Sequence, residues 1–166
     1  MSRVPLAAAI DGLRYRCRLR DLEHFDPSAA SERIARIAAT IERLGEGRFV
    51  FGLGPNCAEM IRLGQHPIRL GRHAGPLEAA QEEIIDYSVN DASVHGPREV
   101  SRLHCTLDPS GNEGDEIALI DEGSSTGTWL YPSMERLEPR VAHRLASGGL
   151  FSLGPSGTNL FLFVNI

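Results

Sequence analysis

The sequence predicts a mainly β protein, a β-sandwich of short antiparallel strands preceded by an N-terminal strand–helix extension. Three observations predict it. From Arg48 onward, short apolar runs alternate with glycine and proline punctuation, as the strands of a sandwich do. Leu13-Arg14-Tyr15-Arg16-Cys17-Arg18-Leu19-Arg20 alternates apolar residues with arginine, the period of a strand with one buried face. Ile34, Ile37, Ile41 and Leu44 recur at three- and four-residue steps, the period of an amphipathic helix. The expected division is an extension over 1–45 and a sandwich domain over 46–166.

In chain order, the first strand places four arginines on one face, Arg14, Arg16, Arg18 and Arg20. Such a stripe either attracts an acidic partner or protects an edge strand, with Glu82, Glu83 and Asp86 as candidate counter-ions; the second reading is favoured in an acidic chain. Asp26-Pro27 offers a helix N-cap followed by proline at the first helical position, and Gly45 stops the apolar stripe about five turns later. Strands are then expected at Phe49–Phe51, Met60–Leu63, Ile68–Leu70, Val100–Leu107, Ile117–Asp121, Thr128–Leu130 and Leu160–Val164. The long connection from Arg72 to Ser101 contains Leu77–Glu83, of helical composition, and reads as an insertion beside the functional edge. Trp129 and Tyr131 are expected to cover one end of the sandwich.

Three motifs suit capture of a phosphate group. A phosphothreonine carries nearly two negative charges and three acceptor oxygens, so its receptor needs a fixed guanidinium with short hydroxyl or amide donors. Arg72 follows Gly71 at the end of an alternating run, and arginine's planar fork keeps its charge and matches phosphate oxygens. Ser101 and Ser125 supply hydroxyls on two later segments. Gly71-Arg72, Ser101-Arg102-Leu103-His104, Ser124-Ser125-Thr126-Gly127-Thr128 and Leu153-Gly154 occur in the order and approximate spacing of a forkhead-associated (FHA) domain, which the chain resembles from about Arg48 to Ile166.

The resemblance implies a phosphothreonine-peptide-binding module that catalyses nothing and acts as a signalling or assembly adaptor. It implies that Arg72, Ser101, Arg102, Ser125 and Thr126 contact the phosphopeptide. Gly71, His104, Gly127 and Thr128 would support the site, His104 by fixing the neighbouring loop and Thr128 as an internal hydrogen-bond post. Thr126 stands where the family usually has Asn, which bridges to the main chain of the bound peptide. A second reading follows: a degenerate FHA domain docking an unphosphorylated partner in a larger assembly. The strand, the Phe25-Asp26-Pro27 turn and the helix are faintly similar to the start of type VI secretion sheath small subunits, which suggests a secretion-type assembly and a partner for the extension.

A hydrolase built on Ser101 and His104 is disfavoured. Continuous strand alternation from Ser101 would turn the two side chains to opposite faces, and no carboxylate stands at a recognisable spacing. Of the charged residues, 17 are Lys or Arg and 22 Asp or Glu, a net charge of −5 that argues against a general binder of nucleic acid or anionic membrane. Cys17, Cys57 and Cys105 are odd in number and read as reduced thiols, which fits a cytoplasmic protein. No apolar run is long enough to span a membrane, and the six histidines show no close pairing, so neither metal nor cofactor is expected.

Overall fold

The computed structural model describes residues 46–53, 60–72, 86–89, 99–110 and 115–166. The expected Arg-faced strand, the helix ending at Leu44, the Leu77–Glu83 segment, Cys17 and Cys57 lie outside the described residues.

Apolar alternation from Arg48 to the chain's last residues folds into two packed sheets. The strands are β1 (Arg48–Gly52), β2 (Met60–Leu63), β3 (Ile68–Arg72), β4 (Tyr87–Val89), β5 (Cys105–Asp108), β6 (Glu116–Asp121), β7 (Thr128–Tyr131), β8 (Glu135–Arg136), β9 (His143–Ala146), β10 (Leu150–Leu153) and β11 (Leu160–Asn165). The larger sheet runs β2-β1-β11-β10-β7-β8 and the smaller β4-β3-β5-β6-β9. Neighbours are antiparallel except β3 and β4, which pair in parallel with Gly71 opposite Ser88. Asp86 anchors that parallel pair, accepting hydrogen bonds from the Arg69 backbone amide at 2.9 Å and from its guanidinium at 3.1 Å.

Val50, Leu70, Cys105, Leu107, Ile117, Leu119, Phe151, Phe161 and Phe163 fill the space between the sheets. Phe151 and Phe161, facing each other across β10 and β11, stack with centroids 5.3 Å apart. The alternate residues of the larger sheet form a second apolar cluster: Phe49, Phe51, Leu53, Leu150, Leu160, Leu162 and Val164. A strand that is apolar on both sides reads as an unbroken run, as Leu160-Phe161-Leu162-Phe163-Val164 does.

The expected strand from Val100 to Leu107 is shorter than its alternation suggests. β5 begins only at Cys105. The Arg72 amide donates to the Ser101 carbonyl and the His104 amide to the Leu70 carbonyl, each at 2.9 Å, while Leu70 is already opposite Cys105, so Arg102, Leu103 and His104 stand against Gly71 alone. Two surplus residues push the chain out of the ladder, as at an enlarged β-bulge. Leu103 is therefore partly exposed and His104 wholly buried, the reverse of the expected pattern.

Candidate functional site

The bulge sets the geometry of the loop edge. Arg72 ends β3, half-buried, with its Nε donating to the Val100 carbonyl at 3.1 Å. That contact fixes the plane of the guanidinium through one nitrogen. Ser101 is half-buried, and its Oγ accepts the backbone amide of Ser125 at 3.1 Å. A hydroxyl that accepts in this way retains its own proton for another acceptor. Ser125 is exposed, and so is Arg102, displaced outward by the bulge. Arg72, Ser101 and Ser125, far apart in sequence, are thus joined in one hydrogen-bonded edge.

His104 ties two loops together. Its Nδ1 accepts the Ser101 amide at 3.0 Å, which leaves the proton on Nε2, and Nε2 donates to the Gly127 carbonyl at 2.9 Å. The tautomer follows from these partners. Both ring nitrogens are engaged with backbone, so the imidazole is not aimed at the Ser101 hydroxyl. The expectation that strand alternation separates Ser101 from His104 is corrected: the ring reaches back to the serine's amide, and its bonding is what removes it from a nucleophile–base couple.

Asp121 organises the loop that follows β6. Its Oδ1 accepts the amides of Gly123 and Ser124, both at 2.9 Å, and its Oδ2 accepts the hydroxyls of Ser124 at 2.6 Å and Thr128 at 2.7 Å. Burial pushes its carboxyl up, but the hydrogen bonds from Ser124 and Thr128, helped by His104, outweigh that and hold it below the ordinary carboxylate value. The Ser124 hydroxyl in turn accepts the Gly127 amide at 3.0 Å. Gly127 sits at φ 89°, which a side chain would strain, and its carbonyl takes the Gly154 amide at 2.9 Å as well as His104. Gly71 is buried opposite Ser88, and Thr128 is buried on Asp121.

Thr126 turns inward. Its hydroxyl donates to the Glu99 carbonyl at 2.6 Å, while its own carbonyl accepts the Trp129 indole at 2.9 Å. Trp129 is half-buried and also faces the Arg136 guanidinium, 5.9 Å from its centroid.

Sequence reading missed Asp121, Ser124 and Glu99. Asp121-Glu122-Gly123-Ser124 carries the signal of a side chain capping a turn two and three residues on. No local signal marks the Glu99 carbonyl, because its partner lies in another loop. Among the described residues, no cluster of His, Cys, Asp or Glu could hold a metal ion, and no helix is long and apolar enough to cross a membrane.

The profile of the FHA domain family matches residues 68–154, the segment containing Arg72, the bulge and the Asp121 loop. The chain belongs to the FHA domain family. FHA domains are phosphopeptide-binding modules of signalling and assembly, not enzymes. This FHA chain is 38% identical over 64 residues to the E3 ubiquitin-protein ligase rnf8-A of Xenopus laevis, a match spanning 39% of this chain and 11% of that relative. Among solved structures it is similar to the FHA domain of CT664 protein from Chlamydia trachomatis, with 22% identity, a TM-score of 0.52, and 72% and 99% of the two chains covered. It is similar too to a structure from work on phosphothreonine-dependent FHA domain interactions, with 16% identity, a TM-score of 0.50, and 72% and 96% covered. At those identities the two structures show the fold.

Proposed function

We propose that the chain binds phosphothreonine peptides at the edge formed by Arg72, Ser101, Arg102, Ser125 and Thr126, as a non-catalytic adaptor of signalling or assembly. The observation that carries this reading is the link from the Ser125 amide to the Ser101 hydroxyl, with Arg72 bonded to Ser101 beside it. It brings a guanidinium and two hydroxyls, donors that a phosphate dianion requires, to one place. Nε of Arg72 is held by Val100, which leaves the terminal nitrogens for a paired contact with phosphate oxygens. Gly71, His104, Gly127 and Thr128 support this arrangement from below. A buried free thiol at Cys105 fits a cytoplasmic setting.

One observation favours a second reading, a degenerate FHA domain that docks an unphosphorylated partner in a larger assembly. The Thr126 hydroxyl donates to Glu99 and so does not donate toward a peptide main chain. Titration of the full chain with a degenerate phosphothreonine peptide library separates the two. The first reading expects binding that disappears after phosphatase treatment. Binding indifferent to phosphatase would put the docking reading in its place.

A further inference from the structure

The outer face of the larger sheet is apolar and buried, although every described strand belongs to one of the two sheets and none lies over it. Phe49 and Leu160 have no exposed surface, and Leu162, Leu150, Val164, Phe51 and Leu53 have 5% or less. Their registers make the patch continuous: Phe49 faces Val164, Phe51 faces Leu162, and Leu162 faces Leu150. Exposure returns at the margins, where Met60 and Arg62 on β2 and Ile166 past β11 are open or partly open. Burial complete at the centre and incomplete at the rim is the mark of a layer laid over the patch.

We propose that this layer is the chain's own amphipathic segment 27–45, docked through Ile34, Ile37, Ile41 and Leu44. Three observations select it. The segment ends where β1 begins: Leu44 is five residues before Phe49, joined through Gly45-Glu46-Gly47. Gly47 exchanges both backbone hydrogen bonds with Ile166 and has φ 153°, so the chain enters β1 beside the sheet's outer rim through glycines that permit a sharp reversal. The dimensions also agree. As a helix, residues 34–44 run about 15 Å, while three adjacent strands span about 10 Å and Leu160 to Val164 about 13 Å along the strand. Finally, the other segments outside the described residues are poor candidates by sequence and connection. Residues 54–59 are a short run with glycine, proline and asparagine, and 73–85, 90–98 and 111–114 connect strands of the smaller sheet or lead into it.

The docked segment 27–45 is a structural cap of the larger sheet. It covers a sheet face, while the loops bearing Arg72, Ser101 and Ser125 lie at the edge of the smaller sheet's β3 and β5, so cap and ligand do not compete.

The test uses the full chain. Ile37→Asp combined with Ile41→Asp should lower Tm by roughly 10 °C or more and raise binding of an anilinonaphthalene sulfonate dye. Glu32→Gln with Arg36→Gln, on the polar face, should change neither. A benzophenone amino acid replacing Ile37 should, on irradiation, crosslink within one chain to peptides containing Phe49–Leu53 or Leu160–Val164. That last measurement decides the matter even if the double aspartate variant does not fold. Crosslinks between two chains would assign the face to a second copy and overturn the proposal; so would crosslinks to the smaller sheet, or unchanged Tm and dye binding in the aspartate variant.

Discussion

Nε2 of His104 lies 4.0 Å from Oδ2 of Asp121, both side chains wholly buried, yet neither completes its bonding through the other. His104 joins the bulge at Ser101 to the Gly127 carbonyl, and Asp121 gathers Gly123, Ser124 and Thr128. Two loops of unrelated sequence are held in register because their organising side chains share one buried spot.

Asp121→Asn should therefore weaken the fold and the site together. An asparagine has one acceptor oxygen where Asp121 has two, so its NH2 group must face either the hydroxyls of Ser124 and Thr128 or the amides of Gly123 and Ser124, and stranding buried polar groups costs about 1–3 kcal/mol each. Chemical denaturation should show a loss of about that size, and phosphopeptide affinity should fall with it.

Acid should act on the same carboxylate. Its folded pKa is depressed, so the unfolded state binds the proton more readily. This part of the stability is fully present above the ordinary carboxylate value and is lost as pH falls below it toward the depressed one. Urea midpoints measured on the acid side should decline less steeply in Asp121→Asn than in the parent.

Arg72→Ala should abolish or strongly weaken phosphopeptide binding, since losing a charge-assisted bond costs about 1.5–3 kcal/mol, roughly 10- to 150-fold in affinity. The domain should remain folded, because Arg72 is half-buried at a strand end and its backbone amide bond to Ser101 is retained. Calorimetry with a phosphorylated ligand checks both points. Equal affinity of variant and parent would remove the arginine from the site.

Thr126→Asn should strengthen phosphothreonine binding by about 0.5–1.5 kcal/mol, roughly 2- to 13-fold. One asparagine N–H can replace the hydroxyl on the Glu99 carbonyl, leaving the carbonyl oxygen and a second N–H for the peptide. Unphosphorylated peptides should be unaffected. Weaker binding to the native partner would mark a site adapted to a different ligand.

Cys105 should resist alkylation in the folded chain and react once denatured. Burial, followed by the nearby Asp121 and Glu122 charges, pushes its thiol well above the ordinary value, which starves it of thiolate. Peptide mapping after iodoacetamide treatment distinguishes it from Cys17 and Cys57.

Much of this was legible in the sequence, and for physical reasons. Leu160–Val164 stood out because its burial is dense, and Met60–Leu63 because buried and exposed residues alternate along it. β4, β8, β9 and β10 were not among the expected strands: Glu135–Arg136 and His143–Ala146 are largely polar and become strands only through the neighbours they pair with, and Tyr87–Val89 and Leu150–Leu153 are short. Arg72, Ser101 and Ser125 were found as motif members, but the means of their convergence was hidden. A bulge at Arg102-Leu103 breaks the alternation that would have placed them, and the carboxylate of Asp121 works through groups two, three and seven residues ahead.

The pairing of β1 with β11 also governs the order in which the chain can assemble. Phe49 waits for Val164, so the central ladder of the larger sheet cannot form until β11 has left the ribosome. The smaller sheet's neighbours β5 and β6 are close in sequence and can zip early. Until β11 arrives, one edge of β1 is left without the strand it pairs with, the period in which this protein is most exposed to aggregation and to chaperone capture.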